Sequence, residues 1–121
     1  MGSGFRHIYP KENIKLAEEI VKTGGCLVTE YGIDEKPEKM HFPARNRIIS
    51  GLAQGVIVVE AKHKSGTMIT VDFALEQGKT VFAVPGNITS TCSEGTNELI
   101  KQGAKAITKI EDILEEYRGI R

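Results

Sequence analysis

The side chains best suited to bind a phosphate chain lie in the segment Phe42-Pro-Ala-Arg-Asn-Arg47. Arg45, Asn46 and Arg47 supply charged and neutral hydrogen-bond donors, and the ring of Phe42 can stack on a base. The pattern also predicts that a helix starts at Asn46, where its first N–H groups would add further donors. Cations are disfavoured at a helix start, so helix stability does not explain the two arginines. The segment therefore predicts binding of a single-stranded nucleic acid.

A structural alternative to this hypothesis stays open. Phe42 can instead pack in the core, and the arginines can pair with Glu30 or Glu60. Charge alone does not decide between the two, because basic residues and acidic residues each number 16 in the chain. Residues 36–47 hold four cations and a histidine against the single acid Glu38. Such a run is also common in a solvated loop.

A second candidate site begins at Ser65-Gly66-Thr67, which follows a short polar loop and opens a predicted helix. Its backbone N–H groups and hydroxyls can hold one phosphate. The alternative is that Ser65 is an ordinary N-cap residue.

Little in the chain indicates catalysis. Glu30, Glu60 and Asp72 are possible acids or bases, but no nucleophile–base pair, metal-ligand spacing, GxGxxG or GxxxxGK[ST] motif occurs. We therefore expect no enzymatic activity, no cofactor and no metal. Cys26 lies in an apolar run and is expected to be buried, Cys92 is expected to be exposed, and neither a disulfide nor a zinc site is expected.

Hydrophobic periodicity and turn residues predict alternating helices and strands. Helices are predicted for residues 10–23, 46–54, 65–77, 93–102 and 108–117, and strands for residues 26–30, 56–60, 80–84 and 104–107. The last helix is expected to open with a capping box formed by Thr108 and Glu111.

This alternation is typical of an α/β fold, a three-layer, doubly wound and mainly parallel sheet. The β-branched run at residues 56–60 is expected to be the central strand. Ligands bind beyond the carboxyl ends of such strands, where we expect the loops 31–44, 61–64 and 85–92 to gather. No apolar run approaches the roughly 18 residues of a membrane span and no secretory signal is recognisable, which predicts a cytoplasmic location.

Several segments resemble the DprA/Smf family of DNA-processing proteins. They are Tyr9-Pro-Lys-Glu-Asn13, Phe42-Pro-Ala-Arg-Asn-Arg-Ile-Ile-Ser-Gly-Leu52, Val58-Val-Glu-Ala61, Ser65-Gly66, Val81-Phe-Ala-Val-Pro-Gly86, Gly95-Thr-Asn-Glu-Leu-Ile100 and Gly103-Ala104. The match extends over residues 4–117. It implies a Rossmann-like fold that binds single-stranded DNA and loads the recombinase RecA during natural transformation, without catalytic turnover.

The resemblance also implies roles for individual residues. Lys39, Phe42, Arg45, Asn46 and Arg47 match the family's DNA-binding region, with Lys39 as the expected phosphate-binding lysine, and Ser65-Gly66 matches the adjoining phosphate loop. The family further implies a homodimer that uses residues 97–107.

One departure from the family concerns the start of the chain. The family's domain begins earlier, with strands and a Gly-Ser-Arg loop that do not occur here, so we expect residues 1–121 to be a single Rossmann-like domain that lacks its N-terminal half. A sheet edge left open in this way predicts self-association.

Two rival functions remain. One is a nucleotide-binding enzyme of the LOG phosphoribohydrolase type, although Thr70 stands where that group has its glutamate. The other is a nucleotide-sensing module without a role in DNA binding.

Overall fold

The computed structural model describes residues 1–119, which form two compact units. The first unit is Met1–Arg45 and the second begins at Asn46, so the boundary falls inside a helix. The helices are α1 (Ile14–Lys22), α2 (His41–Leu52), α3 (Gly66–Glu76), α4 (Glu94–Lys101) and α5 (Ile110–Leu114), and the strands are β1 (Gly55–Val58), β2 (Thr80–Ala83) and β3 (Lys105–Ala106). Single 3₁₀ turns occur at Phe5–His7, Lys11–Asn13, Thr91–Ser93 and Glu115–Tyr117.

The first unit has one complete α-helix, α1, along with two of the 3₁₀ turns and the start of α2. Together with the 3₁₀ turn before it, α1 confirms the helix predicted for residues 10–23. Its apolar face is only partly covered, since Ala17 is buried while Ile14 is 41% and Val21 is 55% exposed. Gly24, at φ 90°, ends the helix in the left-handed region that glycine adopts without strain.

The strand predicted for residues 26–30 is wrong. This segment has no regular structure, and Cys26, which was expected to be buried, is exposed. A strand needs a neighbouring strand to pair its backbone groups, and residues 1–45 contain none. Instead, the Thr29 hydroxyl donates to the carbonyl of Ser3 at 2.8 Å. The predicted loop 31–44 therefore follows no strand.

The second unit contains a three-stranded parallel sheet in the order β1-β2-β3. Helix α3 connects β1 to β2 and helix α4 connects β2 to β3, as in two consecutive βαβ units. Val56 and Val58 pair with Val81 and Ala83, so these four side chains share one face of the sheet. That face packs on α3 and α4 through Val71, Ala74 and Leu99, which form the core.

The expectation that β1 is the central strand is wrong for the sheet formed by residues 1–119. Strand β2 is central, and its residues Val81, Phe82 and Ala83 are all buried. Strand β1 lies at the edge, with Ile57 47% exposed. A β-branched run favours a strand, but it does not determine whether that strand is central in the sheet. The residues of one strand do not specify which other strands pair with it.

The helices and turns of the second unit otherwise follow the predicted order. Gly78 and Gly103, at φ 66° and 106°, end α3 and α4 as predicted. The capping box predicted for Thr108 and Glu111 is wrong, because the acid at the start of α5 is Asp112, which accepts from the N–H of Lys109 at 3.2 Å. Lys109, at the N-cap, has no side-chain acceptor to complete a box. Asp112 accepts from the N–H of Thr108 at 2.8 Å. These contacts hold the pKa of Asp112 below its ordinary value, with the Thr108 N–H as the largest cause.

The α/β class with a parallel sheet is confirmed. Every helix formed within residues 1–119 is too short or too polar to cross a bilayer.

Candidate nucleic-acid interface

Helix α2 starts five residues earlier than predicted, at His41 rather than Asn46. Pro43 gave the segment the pattern of a loop, but proline is tolerated in a first helical turn, where its missing N–H has no partner to lose. Arg45 and Arg47 therefore lie beyond the first turn, where the helix dipole has little effect. The argument that the dipole opposes these two cations is wrong, and the first N–H groups of the helix do not belong to Asn46.

The start of α2 is occupied by contacts of His41. Its Nδ1 lies 3.0 Å from the carbonyl oxygen of Gly2, and its ring stacks on Tyr31 with 4.0 Å between centroids. Its Nε2 lies 3.6 Å from Glu35 and 3.9 Å from Glu38. His41 is thus a structural residue, and two carboxylates stand where an anion would approach this helix start.

Phe42 is partly exposed and is not one of the buried core residues. Its ring centroid lies 5.6 Å from that of Tyr9, and Cζ of Arg45 lies 5.7 Å from the ring centroid. Gly2 backs the ring closely, since a Cβ there would lie 3.0 Å from the ring carbon Cδ1. We call Tyr9, Phe42 and Arg45 the aromatic–cation cluster. A cation near a ring face and two adjacent aromatic rings form a surface on which a base can stack.

Tyr9 was missed as a candidate binding residue. Its side chain is 60% exposed and adjoins Phe42, although Tyr9 lies far earlier in the sequence. The only signal was the Tyr9-Pro-Lys-Glu-Asn13 segment, which served as a marker of the family and gave no role to the ring.

The electrostatic environment of Arg45 extends to the chain start. Partial burial lowers the pKa of the Met1 amino group, Arg45 lowers it further, and Glu30 acts in the opposite direction. Glu30 and Glu60 are both exposed. An arginine pair with either carboxylate would be a surface ion pair, which typically contributes about 0–1 kcal/mol.

The other predicted residues of this segment are accessible. Lys39 is exposed in the turn before α2, Asn46 is partly exposed and Arg47 is exposed. Gln77 holds the backbone of this part of the helix, since its Nε2 donates to the carbonyl of Arg47 at 2.9 Å. The same side chain accepts from Ser50 at 2.7 Å.

The start of α3 differs from the simple N-cap that was the alternative for Ser65. Ser65 occupies the N-cap position, but its hydroxyl makes no capping hydrogen bond. The hydroxyl oxygen is buried and has no hydrogen-bond partner among residues 1–119. Gly66 is exposed, and a Cβ there would meet nothing within 4 Å. This helix start is therefore uncovered, in contrast to that of α2.

A cavity of about 200 Å³ lies at the start of α3, and we call it the Ser65 cavity. It is lined by Glu60, Ala61, Lys62, Ser65, Thr67 and Cys92. The N–H of Ala61 donates to the carbonyl of Cys92 at 2.9 Å, which joins the loop after β1 to the loop after β2. The predicted meeting of loops 61–64 and 85–92 beyond the carboxyl ends of the strands is thus confirmed.

The loop that follows β2 is held by Asn97. Its Nδ2 donates to the carbonyl of Gly86 at 3.0 Å, and its Oδ1 accepts from the Gly86 N–H at 3.1 Å. Ile88, in the same loop, is 90% exposed. Within the chain, the Asn97 amide thus fixes this loop. Its predicted place at one end of a dimer contact stays a prediction.

The chain resembles known DNA-processing proteins along most of its length. It is 54% identical over 116 residues to DNA processing protein DprA of Bacillus subtilis, which covers 96% of this chain and 39% of that protein. It is 50% identical over 118 residues to protein Smf of Escherichia coli, covering 98% of this chain and 32% of the relative. The chain thus spans about a third to two fifths of the length of these relatives.

Solved structures of DNA-processing proteins also resemble this chain. DNA processing protein A of Streptococcus pneumoniae matches with a TM-score of 0.84 and 50% identity over 95% of this chain and 40% of that one. DNA processing protein A of Helicobacter pylori, which has a unique single-stranded DNA binding mode, matches with a TM-score of 0.76 and 30% identity over 97% of this chain and 54% of that one. The Rossmann-like class is confirmed by these matches. The family model for DNA recombination-mediator protein A matches residues 1–118, and the chain therefore belongs to this DprA/Smf family of DNA-processing proteins.

Proposed function

We propose that this chain binds single-stranded DNA through helix α2 and the turn before it, with Ser65 and Gly66 contributing a phosphate contact. The residues in this role are Lys39, Phe42, Arg45, Asn46 and Arg47. The observation that carries the proposal is the aromatic–cation cluster. In it, the ring centroid of Phe42 lies 5.6 Å from that of Tyr9 and 5.7 Å from Cζ of Arg45. Its chemistry matches unpaired bases on a phosphate chain.

The aromatic and the basic side chains have different roles in this proposal. Phe42 and Tyr9 offer faces for stacking, and each stacked base typically contributes about 1–3 kcal/mol. Lys39 and the arginines contact phosphates and add an attraction that weakens as salt rises. In duplex DNA the base faces are covered by their neighbours, so a single strand has more to gain from the rings.

Membership of the family supports the same function. The Helicobacter pylori relative binds single-stranded DNA, and its structure aligns with 97% of this chain. From the family we also propose that the chain acts in the cytoplasm without catalytic turnover, loads RecA during natural transformation and forms a homodimer through residues 97–107.

Fluorescence anisotropy with the 121-residue chain tests DNA binding. A labelled single-stranded oligonucleotide should bind more tightly than its duplex, with little preference between base compositions, and its affinity should fall as salt rises. Equal affinity for strand and duplex would contradict the stacking role. An affinity independent of salt would contradict the phosphate contacts.

A lysine pair sharpens the same experiment. Lys39→Ala should weaken binding, whereas Lys36→Ala, which removes an equal charge from the same exposed loop, should have a smaller effect. If both substitutions reduce affinity equally, Lys39 has no specific phosphate contact and only the overall charge of the loop matters.

We also propose that residues 1–121 form one part of a larger Rossmann-like domain that includes the family's Gly-Ser-Arg loop. The edge position of β1 and the exposure of Ile57 and Val59, at 47% and 64%, support this proposal. A chain extended by that upstream half should bind single-stranded DNA more tightly and self-associate less. Light scattering and titration of both chains measure this, and equal affinity with a monomeric 121-residue chain would contradict it.

A further inference from the structure

Helix α2 contains most of the proposed DNA-binding residues, yet little apolar packing holds it in place. Among its twelve residues, all of which the structure describes, Ser50 is the only one that is buried. Ile48 is partly buried, and Ile49 and Leu52 are 50% and 75% exposed. A surface helix ordinarily turns an apolar face to the core. The one buried position of α2 holds a hydroxyl instead, so hydrogen bonding takes a large part in fixing this helix.

The partner of Ser50 is Gln77, at the end of α3. The Ser50 hydroxyl donates to Oε1 of Gln77 at 2.7 Å. The carbonyl oxygens of Arg47 and Asn46, in its own helix, lie farther from the hydroxyl, at 3.2 and 3.4 Å. A hydroxyl has one proton to donate, and the shortest of these contacts is the one that joins α2 to α3.

The other end of the Gln77 amide reaches the backbone of a proposed DNA-binding residue. Its Nε2 donates to the carbonyl oxygen of Arg47 at 2.9 Å. A carbonyl oxygen has two lone pairs, so Arg47 can accept this bond in addition to one within the helix. Gly51 lies beside the amide, since a Cβ there would be 3.6 Å from Nε2. Both polar atoms of the amide thus hold the turn of α2 from Arg47 to Ser50, and we call Ser50 and Gln77 the amide clamp.

The end of α4 shows that a glutamine at a helix end does not by itself produce such a clamp. Gln77 and Gln102 are the C-cap residues of α3 and α4, and each precedes a glycine at positive φ. The amide of Gln102 donates to Glu98 of its own helix at 3.1 Å. The amide of Gln77 joins two helices, and its backbone N–H is itself bound to the carbonyl of Phe73 at 3.0 Å. The clamp therefore extends from a hydrogen-bonded support.

We propose that Gln77 is a positioning residue for DNA binding, which holds α2 in the orientation that directs Arg47 to a phosphate of the strand. This role rests on the proposed function, because Arg47 is one of the residues assigned to the strand. Gln77 acts through Arg47 and not by a contact of its own. A guanidinium on a fixed backbone loses less conformational freedom when it binds, so the clamp increases affinity by preorganisation.

The first test is Gln77→Met, which removes both hydrogen bonds and keeps a side chain of similar length. The thermal midpoint should change little, because Gln77 is exposed. Affinity for a labelled single strand should fall roughly threefold to tenfold, as expected when about one hydrogen bond is lost. The slope of log affinity against log salt should decrease by up to about 0.7, the value of one phosphate contact. Gln54→Met, the same change at another exposed glutamine, should alter neither quantity.

A double-mutant cycle identifies the group on which Gln77 acts. In a chain with Arg47→Ala, Gln77→Met should cause no further loss of affinity, because the guanidinium that it positions is gone. In a chain with Lys39→Ala, Gln77→Met should cause its full loss, since Lys39 lies in the turn before α2. Losses that multiply in the Arg47→Ala chain as they do in the Lys39→Ala chain would overturn the positioning role.

Hydrogen exchange measures the amide clamp in the absence of DNA. Gln77→Met should speed exchange of the N–H groups of α2 relative to those of α3, because little apolar packing remains to hold α2 closed. Ser50→Ala should act in the same direction. The combined variant should exchange no faster than Gln77→Met alone, since both changes remove the same hydrogen bond. Unchanged exchange of α2 in the Gln77→Met chain would show that the amide does not hold the helix and would refute the proposal.

Titration of the unsubstituted chain separates this role from the proposed function. If that chain binds a single strand and the Gln77→Met chain binds it equally well, DNA binding stands and the positioning role is wrong. If the unsubstituted chain binds no single strand, the proposed function is wrong and the positioning role falls with it. Weaker binding after Gln77→Met, together with coupling to Arg47 and faster exchange of α2, is the result expected from the amide clamp.

Discussion

Helices α2 and α3 both begin at the end of an irregular loop, and the polar groups at the two starts are used in different ways. At α2, His41 is held by the carbonyl of Gly2, the ring of Tyr31 and the carboxylates of Glu35 and Glu38. At α3, the Ser65 hydroxyl is buried without a partner among residues 1–119, and the start of the helix borders the Ser65 cavity. A helix start is thus a potential anion site only when the surrounding chain leaves it accessible.

The difference suggests two modes of binding a nucleic acid. In the α2 region the donors are side chains beyond the first turn, accompanied by the aromatic–cation cluster, which suits a long and variable strand. In the α3 region the start of a helix lies beside a small cavity, which suits a single phosphate. If this contrast is correct, substitutions should affect one mode without the other.

The largest expected effect comes from Gly95→Ala. A Cβ at Gly95 would lie 2.7 Å from the carbonyl oxygen of Ala61 and 2.9 Å from its Cβ, and both residues are buried. Such overpacking typically costs 1–3 kcal/mol. It should also displace Ala61, which lines the Ser65 cavity. Urea denaturation measures the loss of stability, and Gly66→Ala is the comparison that spares stability, because a Cβ there would meet nothing within 4 Å.

Phe42→Ala should remove stacking and weaken single-strand binding by about 1–3 kcal/mol. Phe5→Ala is the control, since Phe5 is a 44% exposed ring of the same unit with no assigned role. Fluorescence anisotropy with a labelled single strand measures both variants. An equal loss of affinity in the two variants would contradict a specific stacking role of Phe42.

Arg45→Ala should lower the salt dependence of strand binding. Each phosphate contact on a single strand contributes about 0.7 to the slope of log affinity against log salt, so one contact should disappear. The thermal midpoint should change little, because Glu30 and Glu60, the carboxylates considered as its partners, are exposed and would not be left buried without a partner. Arg118→Ala, which removes an exposed arginine outside this segment, should leave the slope unchanged. A lower midpoint with an unchanged slope would assign Arg45 a structural role.

The smallest effect concerns a third helix start, that of α5, which Asp112 caps. Because the pKa of Asp112 is lowered in the folded chain, its carboxylate contributes stability above the ordinary aspartate value of about 3.9 and loses this contribution as the pH falls through the folded value. Asp112→Asn should therefore lower the thermal midpoint at neutral pH and make little difference in strong acid. A deficit that does not depend on pH would indicate that the charge of Asp112 is unimportant.

Local chemistry along the sequence was sufficient to predict much of this molecule. Periodic apolar residues located α1, α3 and α4, and glycines that adopt positive φ ended them at Gly24, Gly78 and Gly103. The motifs from Phe42 and Val81 identified the family, which the comparisons confirm. These features depend on residues a few positions apart, so they can be recognised without knowledge of the fold.

The remaining features depend on partners that lie far away in sequence. Residues 26–30 have strand-like composition but no strand to pair with, and β1 has a central strand's composition at the edge of the sheet formed by residues 1–119. Tyr9 gains a potential binding role only through its contact with Phe42. The sequence by itself determined the elements and the residue types able to bind phosphate. Only the tertiary structure decided which helix start is closed. Distant segments pack together so that Nδ1 of His41 lies 3.0 Å from the carbonyl oxygen of Gly2, whereas the Ser65 hydroxyl is left without a partner among residues 1–119.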